Sequence, residues 1–190
     1  PMSPRFSPSA AWVAALAFVA LPSVEAAEYS QVNATASTIS FTYKQFTSRA
    51  YGTFGKFAAT LDFDTENPAA AHAALSIDLD SIDAGSSDAN EELQKPAWFD
   101  TANHPVARFE SSGVQALGND RYLITGQLTL RGMTRVVEVP VQLKADDAIG
   151  IFDGQLTVKR SDFDIGEGEW ADGVVSNDIH IRFRMVAPQQ

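Results

Sequence analysis

Apolar and polar residues alternate along most of this chain, and a period of two marks strands with one buried face. Ile39, Phe41 and Tyr43 fall on one side, with Thr38, Ser40 and Thr42 on the other. Phe57, Ala59, Leu61 and Phe63 repeat the pattern against Thr60, Asp62 and Asp64, as do Ala73, Leu75, Ile77 and Leu79 against Ser76, Asp78 and Asp80. A short strand is expected around Arg108-Phe109-Glu110. Later come Tyr122, Ile124, Leu128 and Leu130, then Val137, Val139, Val141 and Leu143, then Phe152, Leu156 and Val158. Val175, Ile179, Ile181, Phe183 and Met185 close the series.

Turn residues separate these runs: Glu66-Asn67-Pro68, Gly118-Asn119-Asp120, Arg131-Gly132-Met133-Thr134 and Asp146-Asp147. About eight short strands in series predict an all-β fold, an antiparallel meander closed into a barrel or folded as a sandwich. One stretch departs from the period of two. Asp88-Ala89-Asn90-Glu91-Glu92-Leu93-Gln94-Lys95 can form a short helix capped at Ser87 or Asp88, and Pro96 ends it.

The first residues follow a different rule. Arg5 precedes the apolar run from Ala10 to Leu21, and Pro22 and the small-residue tripeptide Val24-Glu25-Ala26 come after it. A basic start, a short apolar stretch and small residues at a cleavage point are the order of a secretory signal. A spanning helix needs about 20 apolar residues, and this run is shorter. Residues 1–26 are therefore expected to be a cleaved signal, with Pro1 an addition ahead of Met2, and residues 27–190 one domain. That signal implies an exported protein.

Composition narrows the chemistry. There is no cysteine, which excludes disulfides, thiolate nucleophiles, iron–sulfur ligation and covalent haem attachment. A net charge of −10 argues against nucleic acid, whose phosphates require clustered Lys and Arg, and against electrostatic docking on anionic lipid, and it is read as serving solubility. The spacings of His72, His104 and His180 match no metal motif. His180 alternates with Ile179 and Ile181, so it is expected on a solvated face beside Asp178 and Arg182. Ser161-Asp162 has no nearby histidine and no G-x-S-x-G elbow is present, so no catalytic residue is assigned and an enzyme is not expected. The acidic segment Glu167-Gly168-Glu169-Trp170-Ala171-Asp172 lacks calcium-loop spacing and reads as a solvated loop anchored by its tryptophan.

Twelve phenylalanines, three tryptophans and four tyrosines supply bulk for an interior. An eight-stranded barrel is the size at which that interior is either filled by side chains or open to one small ligand. The alternation leaves both open. Glycines at Gly52, Gly55, Gly126 and Gly154 mark barrel corners or close approaches.

Several stretches, in order, resemble the YceI-like family. They are Ser37-Thr38-Ile39-Ser40-Phe41 with Tyr51-Gly52-Thr53-Phe54-Gly55-Lys56-Phe57; Ile77-Asp78-Leu79-Asp80-Ser81-Ile82-Asp83-Ala84-Gly85; and Trp98-Phe99-Asp100 with His104-Pro105-Val106-Ala107-Arg108-Phe109. Gly126-Gln127-Leu128-Thr129-Leu130-Arg131-Gly132-Met133-Thr134 resembles the family's central turn, and Arg160-Ser161-Asp162-Phe163-Asp164-Ile165-Gly166 its late motif. The resemblance runs over residues 29–186.

It implies a single antiparallel eight-stranded lipocalin-like barrel with one short helix. Such a barrel holds a long polyisoprenoid, a ubiquinone or prenyl pyrophosphate. Ubiquinone or a similar lipid is then expected as ligand, with no other cofactor. The same resemblance implies transient contact with the membrane or with a membrane b-type cytochrome. The chain departs from the commonest pattern at Gln45, where a histidine often follows the first strand, and at Asn90 and Glu92, where the helix usually carries an aspartate and a histidine.

On this reading the apolar lining consists of Phe41, Tyr43, Phe57, Leu61, Ile77, Leu79, Ile124, Leu128, Leu156, Ile181 and Phe183, with Leu93, Trp98 and Phe99 closing one end. A periplasmic binding or carrier protein for an isoprenoid is the function the resemblance implies. The alternatives are a protein-interaction or stress-related module with a solidly packed barrel, and an enzyme acting on a bound lipid.

Overall fold

Strand pairing begins at both termini of the domain and runs through one continuous antiparallel sheet of eleven strands. The computed structural model describes Ser3, residues 26–167 and residues 174–190. The expected secretory signal lies almost wholly outside the described residues, and so does most of the acidic loop around Trp170.

The strands are β1 (Glu28–Tyr29), β2 (Thr38–Gln45), β3 (Ser48–Phe54), β4 (Phe57–Asp64), β5 (His72–Asp78), β6 (Ile82–Asp83), β7 (Val106–Gly118), β8 (Arg121–Leu130), β9 (Met133–Asp146), β10 (Ile149–Lys159) and β11 (Asp178–Pro188). Their order across the sheet is β1-β4-β5-β7-β8-β9-β10-β11-β2-β3-β6. The fold is the expected all-β barrel, with more strands than alternation revealed.

The barrel closes differently at its two ends. At one, Tyr29 pairs with Phe63 of β4 and also bridges to Gln189, just beyond β11. A two-residue strand thus joins the two sides of the sheet. At the other end β2 and β3 extend from β11, β6 pairs with β3, and the Gly55 N–H donates to the Ser81 carbonyl at 3.1 Å. Here β9 and β10 also part. Their pairing stops at Gly154 opposite Val141, while β9 continues beside β8 to Met133. The helical turn Arg160–Phe163 and the segment carrying Trp98 pack into that opening, with Trp98, Phe163 and Ile165 against Leu128, Leu130, Met133 and Val158.

The Tyr29 end is filled by side chains. Tyr29, Phe63, Tyr122, Val139, Val141, Leu143, Phe152 and Met185 are all buried in one cluster. Edge-to-face contacts join Tyr29 to Phe152 at 5.3 Å, Phe63 to Tyr122 at 4.9 Å and Phe63 to Phe152 at 5.3 Å. Each such side chain contributes about 1.5–3 kcal/mol through burial alone.

The helix α1 spans Ser87–Gln94, and its cap is Ser86, whose hydroxyl accepts from the Ala89 N–H at 3.2 Å. This places the cap one residue before the expected position. Two tight hairpins sit where expected, Asn119-Asp120 and Arg131-Gly132, with positive φ at both central residues, which matches the twist of the flanking strands.

Candidate functional site: an apolar cavity at the open end

The half of the barrel away from Tyr29 is not filled. A cavity of about 540 Å³ lies between two apolar clusters, one built on Phe41, Ile82 and Ala84 and the other on Trp98, Phe163 and Ile165. Strands supply Phe41, Tyr43, Phe54, Ile77, Ala107, Leu128, Leu130, Val158, Ile179 and Ile181, whose parity turns them inward. The helix α1 supplies Ala89 and Leu93, and the stretch after it supplies Trp98 and Phe99. Phe41 lies nearly parallel to Tyr43, with ring centroids 6.0 Å apart. Burial raises the pKa of the Tyr43 hydroxyl.

Of the lining expected from the sequence, Phe41, Tyr43, Ile77, Leu79, Leu93, Trp98, Phe99, Leu128 and Ile181 surround this cavity. Phe57, Leu61, Ile124, Leu156 and Phe183 do not. They point inward but pack on the filled half, against the cluster that contains Tyr29 and Phe63. Phe54, Ile77 and Ile181 touch both the cavity and that cluster, and so form the floor between them.

Polar groups gather at the rim: Gln45, Ser86, Asp88, Glu92 and Lys159. Glu92 is bonded to Lys95 at 2.6 Å. Asn90, the other departure within α1, is not part of the lining. Its side-chain oxygen accepts from the Ala84 N–H at 2.6 Å and ties the helix to the segment after β6.

Arg160 also reaches the cavity wall and is buried. Its guanidinium donates to the carbonyls of Ser176 at 2.9 Å, Val175 at 2.7 Å, Ile165 at 2.7 Å and Gly166 at 3.3 Å. It also lies 5.5 Å from the Trp98 ring centre, within cation–π range. Burial lowers its pKa, against a smaller opposing effect of Glu167. The cation therefore holds two stretches of wall together. Arg131 braces the same region by donating to the carbonyls of Asp164 and Pro96. Neither role was expected from the sequence. Arg160 did carry a signal, because it shares the inward parity of Leu156 and Val158.

His180 is exposed on β11 and lies 2.9 Å from the Thr157 hydroxyl, on the solvated face expected for it. Among the described residues no group of three or more His, Asp or Glu is placed to hold a metal ion.

The family model for the YceI-like domain matches residues 31–187. A UPF0312 protein of Pectobacterium atrosepticum is 35% identical over 121 residues, 60% of this chain and 62% of that protein. Protein YceI of Escherichia coli is 36% identical over 121 residues, 60% of this chain and 63% of its own length. The chain thus spans somewhat less than two thirds of these curated relatives.

Among solved structures, BcnA of Burkholderia cenocepacia superposes with a TM-score of 0.80 at 37% identity, covering 83% of this chain and 99% of that one. A polyisoprenoid binding domain from Saccharophagus degradans shares the fold, with a TM-score of 0.65 at 22% identity over 85% of this chain and 98% of that one.

Proposed function

This chain belongs to the YceI-like domain family, and from that premise we propose that it carries or stores an isoprenoid lipid whose tail occupies the cavity. The observation that carries the reading is the apolar space of about 540 Å³. Folded interiors pack to crystal density and leave few voids larger than a water molecule. A space this large, walled by Phe41, Ile77, Leu128, Phe163 and Ile181, fits an apolar occupant.

The thermodynamics suit a carrier. Each methylene removed from water gains about 0.8 kcal/mol, so a free tail stays out of water. Passage from bilayer to barrel exchanges one apolar environment for another, and loading and release can both proceed. The name of the Saccharophagus domain supports an isoprenoid as the lipid, and ubiquinone or a prenyl pyrophosphate is the form proposed. The apolar run ahead of Ala26 supports export and a periplasmic setting. Binding without turnover is the proposed activity. A solidly packed interaction module fits only the Tyr29 half of the barrel.

Organic extraction of purified protein followed by mass spectrometry tests the proposal. A prenylated molecule in near-stoichiometric amount is expected. Repeated preparations yielding only phospholipid, or nothing, would sink it.

A further inference from the structure

The outer face of β3, β2 and β11 runs against the charge of the chain. Phe41, Ile181 and Phe183 point into the barrel, so register puts Arg49 and Tyr51 of β3, Lys44 of β2, and His180, Arg182 and Arg184 of β11 on the outside. All are exposed. None of these four Lys and Arg side chains forms an ion pair among the described residues. Among the described residues the carboxylates on this face are Asp178, Asp83 at the β6 edge, and Asp153 opposite Arg184, which lies 3.8 Å from Lys144, and Asp88 and Glu92 stand at the adjoining rim of the cavity. A cationic face on a chain of net charge −10 is a local feature of the surface.

Two further observations fall on the same hairpin. Phe46, at its tip, is 70% exposed with φ of 53°, and Tyr51 is 61% exposed. A lone exposed aromatic needs no explanation, but aromatics beside cations are the composition that seeks a membrane interface. A cleft of about 340 Å³ also opens on this face where Lys44, Arg49 and His180 converge, with Asp178 at its edge. The hairpin adjoins the mouth of the apolar cavity, since Gln45 lines that cavity and the Phe46 N–H donates to the Val174 carbonyl at 2.8 Å.

We propose that this face seats the barrel on an anionic phospholipid bilayer, with a headgroup phosphate in the cleft and Phe46 at the interface. The purpose of such docking rests on the lipid-carrier reading, and its chemistry does not. It would bring the mouth of the cavity to the surface from which a tail is drawn.

Sedimentation of lipid-free protein with vesicles tests the face directly. Vesicles of equal parts phosphatidylcholine and phosphatidylglycerol are expected to bind the protein, and vesicles of phosphatidylcholine alone are not. Binding should fade between about 0.01 M and 0.15 M salt, as the screening length falls from about 30 Å to about 8 Å. Each basic side chain near an anionic surface adds about five-fold to partition, so Lys44→Gln with Arg49→Gln should lower it about twenty-five-fold. Phe46→Asn, which suits a positive φ, should weaken binding without altering its salt dependence.

Equal binding to both vesicle types, or variants that bind as well as the parent, would overturn the proposal. So would no binding at low salt, which would favour an acidic protein partner for this face. An isoprenoid recovered by extraction alongside such a failure leaves the cavity reading standing. Vesicle binding by protein that yields no isoprenoid supports the face alone.

Discussion

Phe183 on β11 lies over Gly154, its direct partner on β10, so closely that a methyl group on Gly154 would meet the ring itself. Phe41 covers Gly52 on β3 in the same way. The ring takes the volume that the glycine leaves, which lets two inward positions on adjacent strands hold one large side chain. Gly154→Val is therefore expected to overpack the interior and cost about 1–3 kcal/mol or more. Nothing lies near the Cβ position of Gly113, so Gly113→Ala should stay within about 0.5 kcal/mol. Urea denaturation of the two variants measures the contrast.

The division of the barrel can be read with one bulky residue placed at two depths. Leu128→Trp adds volume where there is open space, so the fold should persist while bound lipid falls. Ile124→Trp adds it where Ile124 is already buried in the filled half, and should cost about 1–3 kcal/mol. Thermal melts together with lipid extraction separate these outcomes. Equal stability loss in both variants would argue against an open half.

Arg160 satisfies four carbonyls on two stretches of wall. Arg160→Met strands those acceptors, at about 1–3 kcal/mol for each one left buried without a partner. Arg160→Lys keeps the charge but cannot reproduce the planar fan of donors, so it should recover only part of the loss. Chemical denaturation of the pair shows whether the geometry or the charge matters.

Tyr29 and Tyr122 predict an alkaline limit. Burial, reinforced by Asp120, raises the pKa of both hydroxyls. An unfolded phenol titrates at about 10. Below that pH both states keep the proton and stability is unaffected. Above it the unfolded chain ionises first, so stability falls as pH rises toward the folded values. The Tyr29 hydroxyl is buried without a hydrogen-bond partner among the described residues. Tyr29→Phe should therefore be close to neutral at pH 7 and should flatten the alkaline decline, which melting temperatures across that range would show.

Alternation told which side chains face inward, and it did so for Phe57, Leu61, Ile124, Leu156 and Phe183 as well as for the cavity wall. A period of two carries no information about depth along the barrel axis, so it could not separate lining from packing. It also concealed strands. In β3 the inward position opposite Phe41 is Gly52, and a glycine there interrupts the apolar pattern because its space belongs to a ring on the next strand. β7 runs from Val106 to Gly118, far beyond the expected Arg108–Glu110, because Ser111, Ser112 and Gly113 sit at a register shift where inside and outside change places. The helix was legible because its limits are local, a serine cap and a proline stop. The roles of Arg160 and Asn90 were not, since each is defined by backbone groups brought to it by the fold.

The floor formed by Phe54, Ile77 and Ile181 places the two demands on this barrel in different residues. Cohesion is concentrated on the Tyr29 side, where volume is fixed by neighbours on every side. Beyond the floor, a longer or shorter side chain alters capacity more than cohesion. Substitutions there can change the shape of the cavity while the scaffold stays intact, so that shape can diverge among descendants of one ancestral barrel faster than the framework does.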